Sequence, residues 1–219
     1  MRIDIDEALR YLGAAGADGG LRAEVEQVAG TLEGRLSPRF VLKEFPLVHE
    51  ASGVALPGAG MLLPGGLARR MLASSHHAAL LVCTLGAEFE AMYRTWQARD
   101  MARAVILDAC GSAYVEAGCD EAGERLAKMH PGAYCTDRFS PGYGDLPLAL
   151  QDDFLRAVDA GRRLGVQAGP SHLLIPSKTV TAFIGISQEP QQARVRGCAH
   201  CALRENCALR KGGKNCEGQ

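Results

Sequence analysis

The 219-residue sequence lacks an excess of charge of either sign. Its 24 Lys and Arg stand against 25 Asp and Glu, a formal net charge of −1, so the basic footprint of a general nucleic-acid binder is absent. It also lacks a membrane-length apolar stretch: the longest, Ala78 to Leu85, is eight residues and includes Thr84, where a spanning helix needs about twenty. The first residues, Met-Arg-Ile-Asp-Ile-Asp-Glu, are acidic and contain no hydrophobic signal region. Export is therefore not expected, and a cytoplasmic location is. There is no internal repeat. There is no dinucleotide fingerprint either, because Gly58-x-Gly60 has no third glycine at the required offset and Pro64 follows.

What is present is enough apolar material for a core, at 47 % hydrophobic residues, in a chain long enough for one domain with a small appendage. Cys83, Cys110, Cys119 and Cys135 are spread through the body, whereas Cys198, Cys201, Cys207 and Cys216 crowd into the last 22 residues. Without export, reduced thiols are expected.

Periodicity predicts helices over 4–12 and 21–36, the second with Leu21, Val25, Val28 and Leu32 at helical spacing. A strand is predicted over 39–49, then turns around one short strand in the Gly/Pro-rich 52–66. A helix over 67–74 and a buried strand over 78–85 follow. The region 88–128 reads as helical with a break near Asp100, its second half rich in Ala and Gly, as tight helix packing or close ligand approach requires. A strand is predicted over 134–139, a helix over 148–164, and over 172–186 either one strand or two split at Pro176. After Ser187 the composition changes: residues 191–219 carry six Lys or Arg against two Glu.

The segment Arg138-Phe139-Ser140-Pro141-Gly142-Tyr143-Gly144 offers chemistry of its own. Arg138 presents a planar fork suited to a carboxylate or phosphate. Gly142 and Gly144 can bare backbone amides, and Tyr143 can stack on a flat ring. This is either an ordinary rigid turn or a site for an anion tethered to an aromatic group. Glu116, on the preceding helix, is either a solvated charge or a partner for a cation.

Arg-Phe-Ser-Pro-Gly-Tyr-Gly-Asp-Leu-Pro at 138–147 resembles the hallmark segment of the cobalamin-dependent methionine synthase activation (reactivation) domain, most of all its stand-alone forms. Thr84-Leu85-Gly86, Leu107-Asp108-Ala109-Cys110-Gly111-Ser112 with Val115-Glu116-Ala117, Ile175-Pro176-Ser177-Lys178-Thr179-Val180-Thr181-Ala182 and Ile184-Gly185-Ile186 agree in order and spacing. The resemblance covers roughly residues 1–187. It implies an α+β fold: a curved, mainly antiparallel sheet with packed helices, followed by a cysteine-rich C-terminal tail at 188–219. It further implies S-adenosylmethionine binding, with Arg138 on the methionine carboxylate, Tyr143 and the backbone around Ser140 and Gly142 contacting the cofactor, and Glu116 near it. The protein need supply no nucleophile of its own, since the cobalt attacks the methyl group.

Two departures from the family pattern stand out. The late strand reads Thr179-Val180-Thr181-Ala182 where the full-length synthase domain carries Ser-Val-Ser-Gly followed by paired tyrosines, and no tyrosine follows Tyr143 here. None of His49, His76, His77, His130, His172 and His200 lies in an Asp-x-His-x-x-Gly segment, so the cobalamin is expected to arrive on a partner. His76 and His77 are expected at the surface.

The tail, Cys198-x2-Cys201-x5-Cys207-x8-Cys216, has the soft ligands that bind a [4Fe-4S] cluster or zinc, with His200 an alternative ligand; an unliganded tail is the third reading. A cluster would relay the electron that reactivation consumes, and the basic tail would steer an acidic partner. The expected function is reductive methylation of cob(II)alamin held on a methionine synthase or related corrinoid methyltransferase. This makes the chain a methyltransferase component supplied with electrons by a flavodoxin or ferredoxin. The competing readings are a non-catalytic docking protein for a corrinoid domain and an iron–sulfur electron carrier.

Overall fold

The computed structural model describes residues 1–195 except Ala15 and Gln192. Two helices open the chain, α1 (Ile5–Tyr11) and α2 (Gly19–Glu33). Each begins at an aspartate whose carboxylate accepts backbone N–H groups, Asp4 from Asp6 and Glu7 and Asp18 from Leu21, satisfying donors that have no partner inside the helix. After Pro38 come β1 (Arg39–Pro46) and β2 (Val48–Glu50), then β3 (Gly53–Leu56) and β4 (Met61–Pro64), which pair antiparallel across a short 3-10 turn at Pro57–Ala59. Here the structure departs from the expected single strand in 52–66. The cause is Gly53, where any Cβ would run into the Leu63 carbonyl, so a residue that reads as a loop former is needed inside a hairpin.

The helix α3 (Gly65–Met71) leads to β5 (His77–Thr84), and α4 (Gly86–Gln97) to α5 (Met101–Met129). The break between these last two is where Asp100 caps α5 by accepting from the Arg103 N–H. The strand expected over 134–139 is reduced to β6 (Tyr134–Cys135) and one bridge, Phe139 to Phe183. Between them the Thr136 hydroxyl accepts from the Gly185 N–H, so a side chain takes the place of a ladder carbonyl. The predicted helix over 148–164 is two, α6 (Leu150–Val158) and α7 (Ala160–Leu164), divided at Asp159 with φ +56°. The short β7 (Gln167–Ala168) was not foreseen. It pairs with β8 (Leu174–Ile175), and β9 (Thr179–Ser187) follows beyond Pro176.

The main sheet has the antiparallel order β1-β5-β9-β6. Its middle strand β5 is buried on both faces, as a continuous apolar run implies. Ala79, Leu81 and Cys83 join a core with α1, α2, α4 and α5. Ala78, Leu80 and Val82 join a second core with β3, β4, α3, α6 and α7. The fold is thus α+β, with an antiparallel sheet between helices. His76 and His77 are exposed. The tail cysteines Cys198, Cys201, Cys207 and Cys216 lie outside the described residues.

Among the described residues, no helix is long and apolar enough to cross a membrane, and no three His, Cys, Asp or Glu side chains gather to hold a metal ion.

Candidate functional site

The small residues of α5 serve packing first. A Cβ at Gly118 would lie 2.5 Å from the Pro38 Cβ and 2.7 Å from the Cys83 Sγ, and one at Gly111 would lie 2.5 Å from the Phe89 ring. The helix therefore rests close against the sheet, and Asp108, Ser112, Glu116 and Asp120 recur at four-residue intervals along one face.

Two cations meet that face. The Lys178 ammonium, where β9 begins, sits 2.9 Å from Asp108 Oδ1 and donates to Ser112 Oγ at 2.9 Å. Arg138 donates from Nη2 to Glu116 Oε2 at 2.8 Å and from Nη1 to Asp120 Oδ1 at 2.7 Å. Its side chain is only 15 % exposed. Desolvation opposes the Arg138 charge, yet the guanidinium is held above its ordinary value, with Cys119, the hydrogen bond to Asp120 and the charges of Glu116 and Asp120 all raising it. Tyr11 of α1 lies near Glu116. Burial, and then the Glu116 charge, raise the Tyr11 phenol above its usual range.

The loop after Arg138 is tied down at nearly every residue. Ser140 Oγ donates to the Thr181 carbonyl at 2.6 Å. The Tyr143 N–H donates to the Ser140 carbonyl, the Leu146 N–H to the Tyr143 carbonyl, and the Gly142 N–H to the Leu146 carbonyl. Asp145 accepts from the Gly66 and Leu67 N–H groups, latching the loop to α3. Those two amides hold the Asp145 carboxyl below the usual range. The Gly142 amide, expected to face a ligand, is thus spent inside the loop; its φ of +94° serves the turn itself. Tyr143 is left 50 % exposed at the rim.

These elements enclose a cavity of about 150 Å³ lined by Glu116, Arg138, Ser140, Tyr143, Val180, Ala182 and Val195. Four of the five residues singled out in the sequence line it, and Gly142 does not. Four contributors were not foreseen, three of them in the lining and Asp120 through its bond to Arg138. Asp120 was legible as the residue four after Glu116. Val180 and Ala182 share one face of β9 through strand alternation. Val195 left no local signal. A larger depression of about 330 Å³ lies beside α6 and α7, but its Asp152, Asp159 and Arg156 pair with His172, Arg162 and Asp153 respectively, and among the described residues no ring or unpaired cation lines it.

No protein-family model matches the chain, and no curated protein matches it in sequence. Among solved structures, the chain is similar to the MetH reactivation domain bound to AdoHcy. The TM-score is 0.66 at 15 % identity, over 97 % of this chain and 82 % of that one. The likeness is one of fold.

Proposed function

We propose that this chain binds S-adenosylmethionine in the cavity between α5, β9 and the loop at 138–147, and acts as a reactivation protein for a cobalamin-dependent methionine synthase or related corrinoid methyltransferase. One observation carries the reading: Arg138, its partner Glu116, Tyr143 and an apolar strand face line one cavity, in a fold that in the MetH reactivation domain is seen with AdoHcy.

The donor set fits the cofactor group by group. Glu116 answers an ammonium, and Arg138 answers a carboxylate that displaces one of its two acids. Tyr143 offers a ring face, and Val180 and Ala182 a dry floor. When bound, S-adenosylmethionine supplies the methyl group. The corrinoid on the partner is the acceptor, and one electron comes from a flavodoxin or ferredoxin. The residues here orient and desolvate; none acts as a nucleophile. The cysteine tail is proposed as a thiolate site for a [4Fe-4S] cluster or zinc, checked by counting iron, sulfide and zinc in protein purified without oxygen.

The test is calorimetric titration with S-adenosylmethionine. Arg138→Ala is expected to weaken binding by about 10- to 100-fold, as for a lost charge-assisted pair; unchanged affinity would place the site elsewhere. The docking reading draws support from the filled fork of Arg138. It requires the opposite result, a corrinoid domain bound with no affinity for S-adenosylmethionine.

A further inference from the structure

The chain does not leave the site when β9 ends. The Glu189 N–H donates to Ser187 Oγ in a turn, and the chain then runs back beside the residues that follow β6. Ala193 and Val195 pack against the second core, while Arg194, between them, is exposed. The Arg194 guanidinium reaches Asp137 Oδ1 at 3.0 Å, and the Val195 N–H donates to Asp137 Oδ2 at 3.2 Å. One carboxylate therefore clamps the returning segment, and it belongs to the residue next to Arg138. The clamp sets Val195 into the cavity as a wall.

The walls are unequal. α5 and β9 belong to the core, and the loop at 139–146 is bonded internally and to α3. The segment 193–195 has only the Asp137 clamp and two half-buried side chains among its described anchors. Its ion pair is surface-exposed on the Arg194 side, at 59 %, and such pairs hold weakly. Just before it, the Gln191 side-chain nitrogen is buried with no hydrogen-bond partner among the described residues, so the docked segment is imperfectly satisfied. The cavity it closes, about 150 Å³, falls short of the roughly 300 Å³ or more that a drug-sized ligand fills.

We propose that residues 193–195 form a displaceable wall: the strap swings out when a nucleoside-sized ligand enters, so ligand occupancy and docking of the C-terminal segment oppose one another. This rests on the S-adenosylmethionine reading of the same cavity. Coupling of this kind is reciprocal, so loosening the strap must tighten the ligand.

The test uses the full chain, with S-adenosylhomocysteine as the probe. Exchange of the Val195 amide is followed by NMR with and without saturating probe, and affinity is measured for the wild type and for Arg194→Ala, which removes the clamp's ion pair without touching the cavity lining. Displacement predicts faster Val195 exchange in the complex and binding up to about fivefold tighter in Arg194→Ala. Slower or unchanged exchange, or weaker binding by the variant, would make the strap a fixed wall and overturn the proposal while leaving the cofactor reading intact. Absence of binding by either protein would overturn both.

Discussion

At the scale of single residues, the spacing between α5 and the sheet is set by what Gly118 does not carry. Adding a methyl there forces it against Pro38 and Cys83, which sit in the strand-side packing and cannot yield as a flexible side-chain tip would. Overpacking of this kind costs about 1–3 kcal/mol. Gly118→Ala should lower the melting temperature by several degrees in a chain of this size. Gly123, on the same helix, has nothing within 4 Å of its would-be Cβ, so Gly123→Ala should be neutral or stabilising, by the helix propensity gained. A pair of thermal melts separates the two. The sequence announces both glycines as small residues on a helix. It does not say which one is pressed against a neighbour, because that depends on Pro38 and Cys83, distant in the chain. For the same reason Arg138 and Glu116 were legible as chemical types, while their pairing with each other required the fold.

At the scale of elements, the loop at 139–147 is a separate small structure fastened at both ends, by Ser140 to β9 and by Asp145 to α3. Asp145→Ala removes the acceptor for two α3 amides. Hydrogen exchange at Gly66 and Leu67 should then rise several-fold, and Tyr143 should lose its fixed position at the cavity rim. Because the folded state depresses the Asp145 pKa, this latch is fully present above the unfolded aspartate range. It weakens as pH falls through the depressed value, and the same two amides report it in the wild type under acid. The hidden strands have one lesson in common. β3 and β4 lie in a stretch that looks like turns because Gly53 and Pro64 do structural duty at strand ends, and the break between α6 and α7 falls at an aspartate, a residue that tolerates a left-handed backbone.

At the scale of the whole molecule, the core between the sheet and α1, α2, α4 and α5 shuts the thiols Cys83, Cys110 and Cys119 away from solvent. Desolvation pushes the Cys110 thiol up to about 12 from its ordinary 9.0. Between those values the unfolded chain has released a proton that the native protein still holds, so stability is complete below about pH 9 and falls as pH rises toward 12. Urea midpoints measured from pH 8 to 11 should decline more steeply for the wild type than for Cys110→Ala, whose baseline is lower but flatter. The α+β class and the antiparallel sheet were implied by the family resemblance carried by segments such as 138–147 and 175–186, while β5 and the helices were legible from an unbroken apolar run and from periodicity. The order of the strands was not, because β5 at 77–84 finds its partner β9 only at 179–187.

That strand order also bears on biosynthesis. β5 spans residues 77–84, and its neighbour on one side, β9, spans 179–187. A growing polypeptide therefore carries its most apolar strand with one edge bare until almost all the described residues have been made. During that interval an unpaired edge can template misassociation. Like β6, which also pairs with β9, β5 depends for its protection on the synthesis of the C-terminal third.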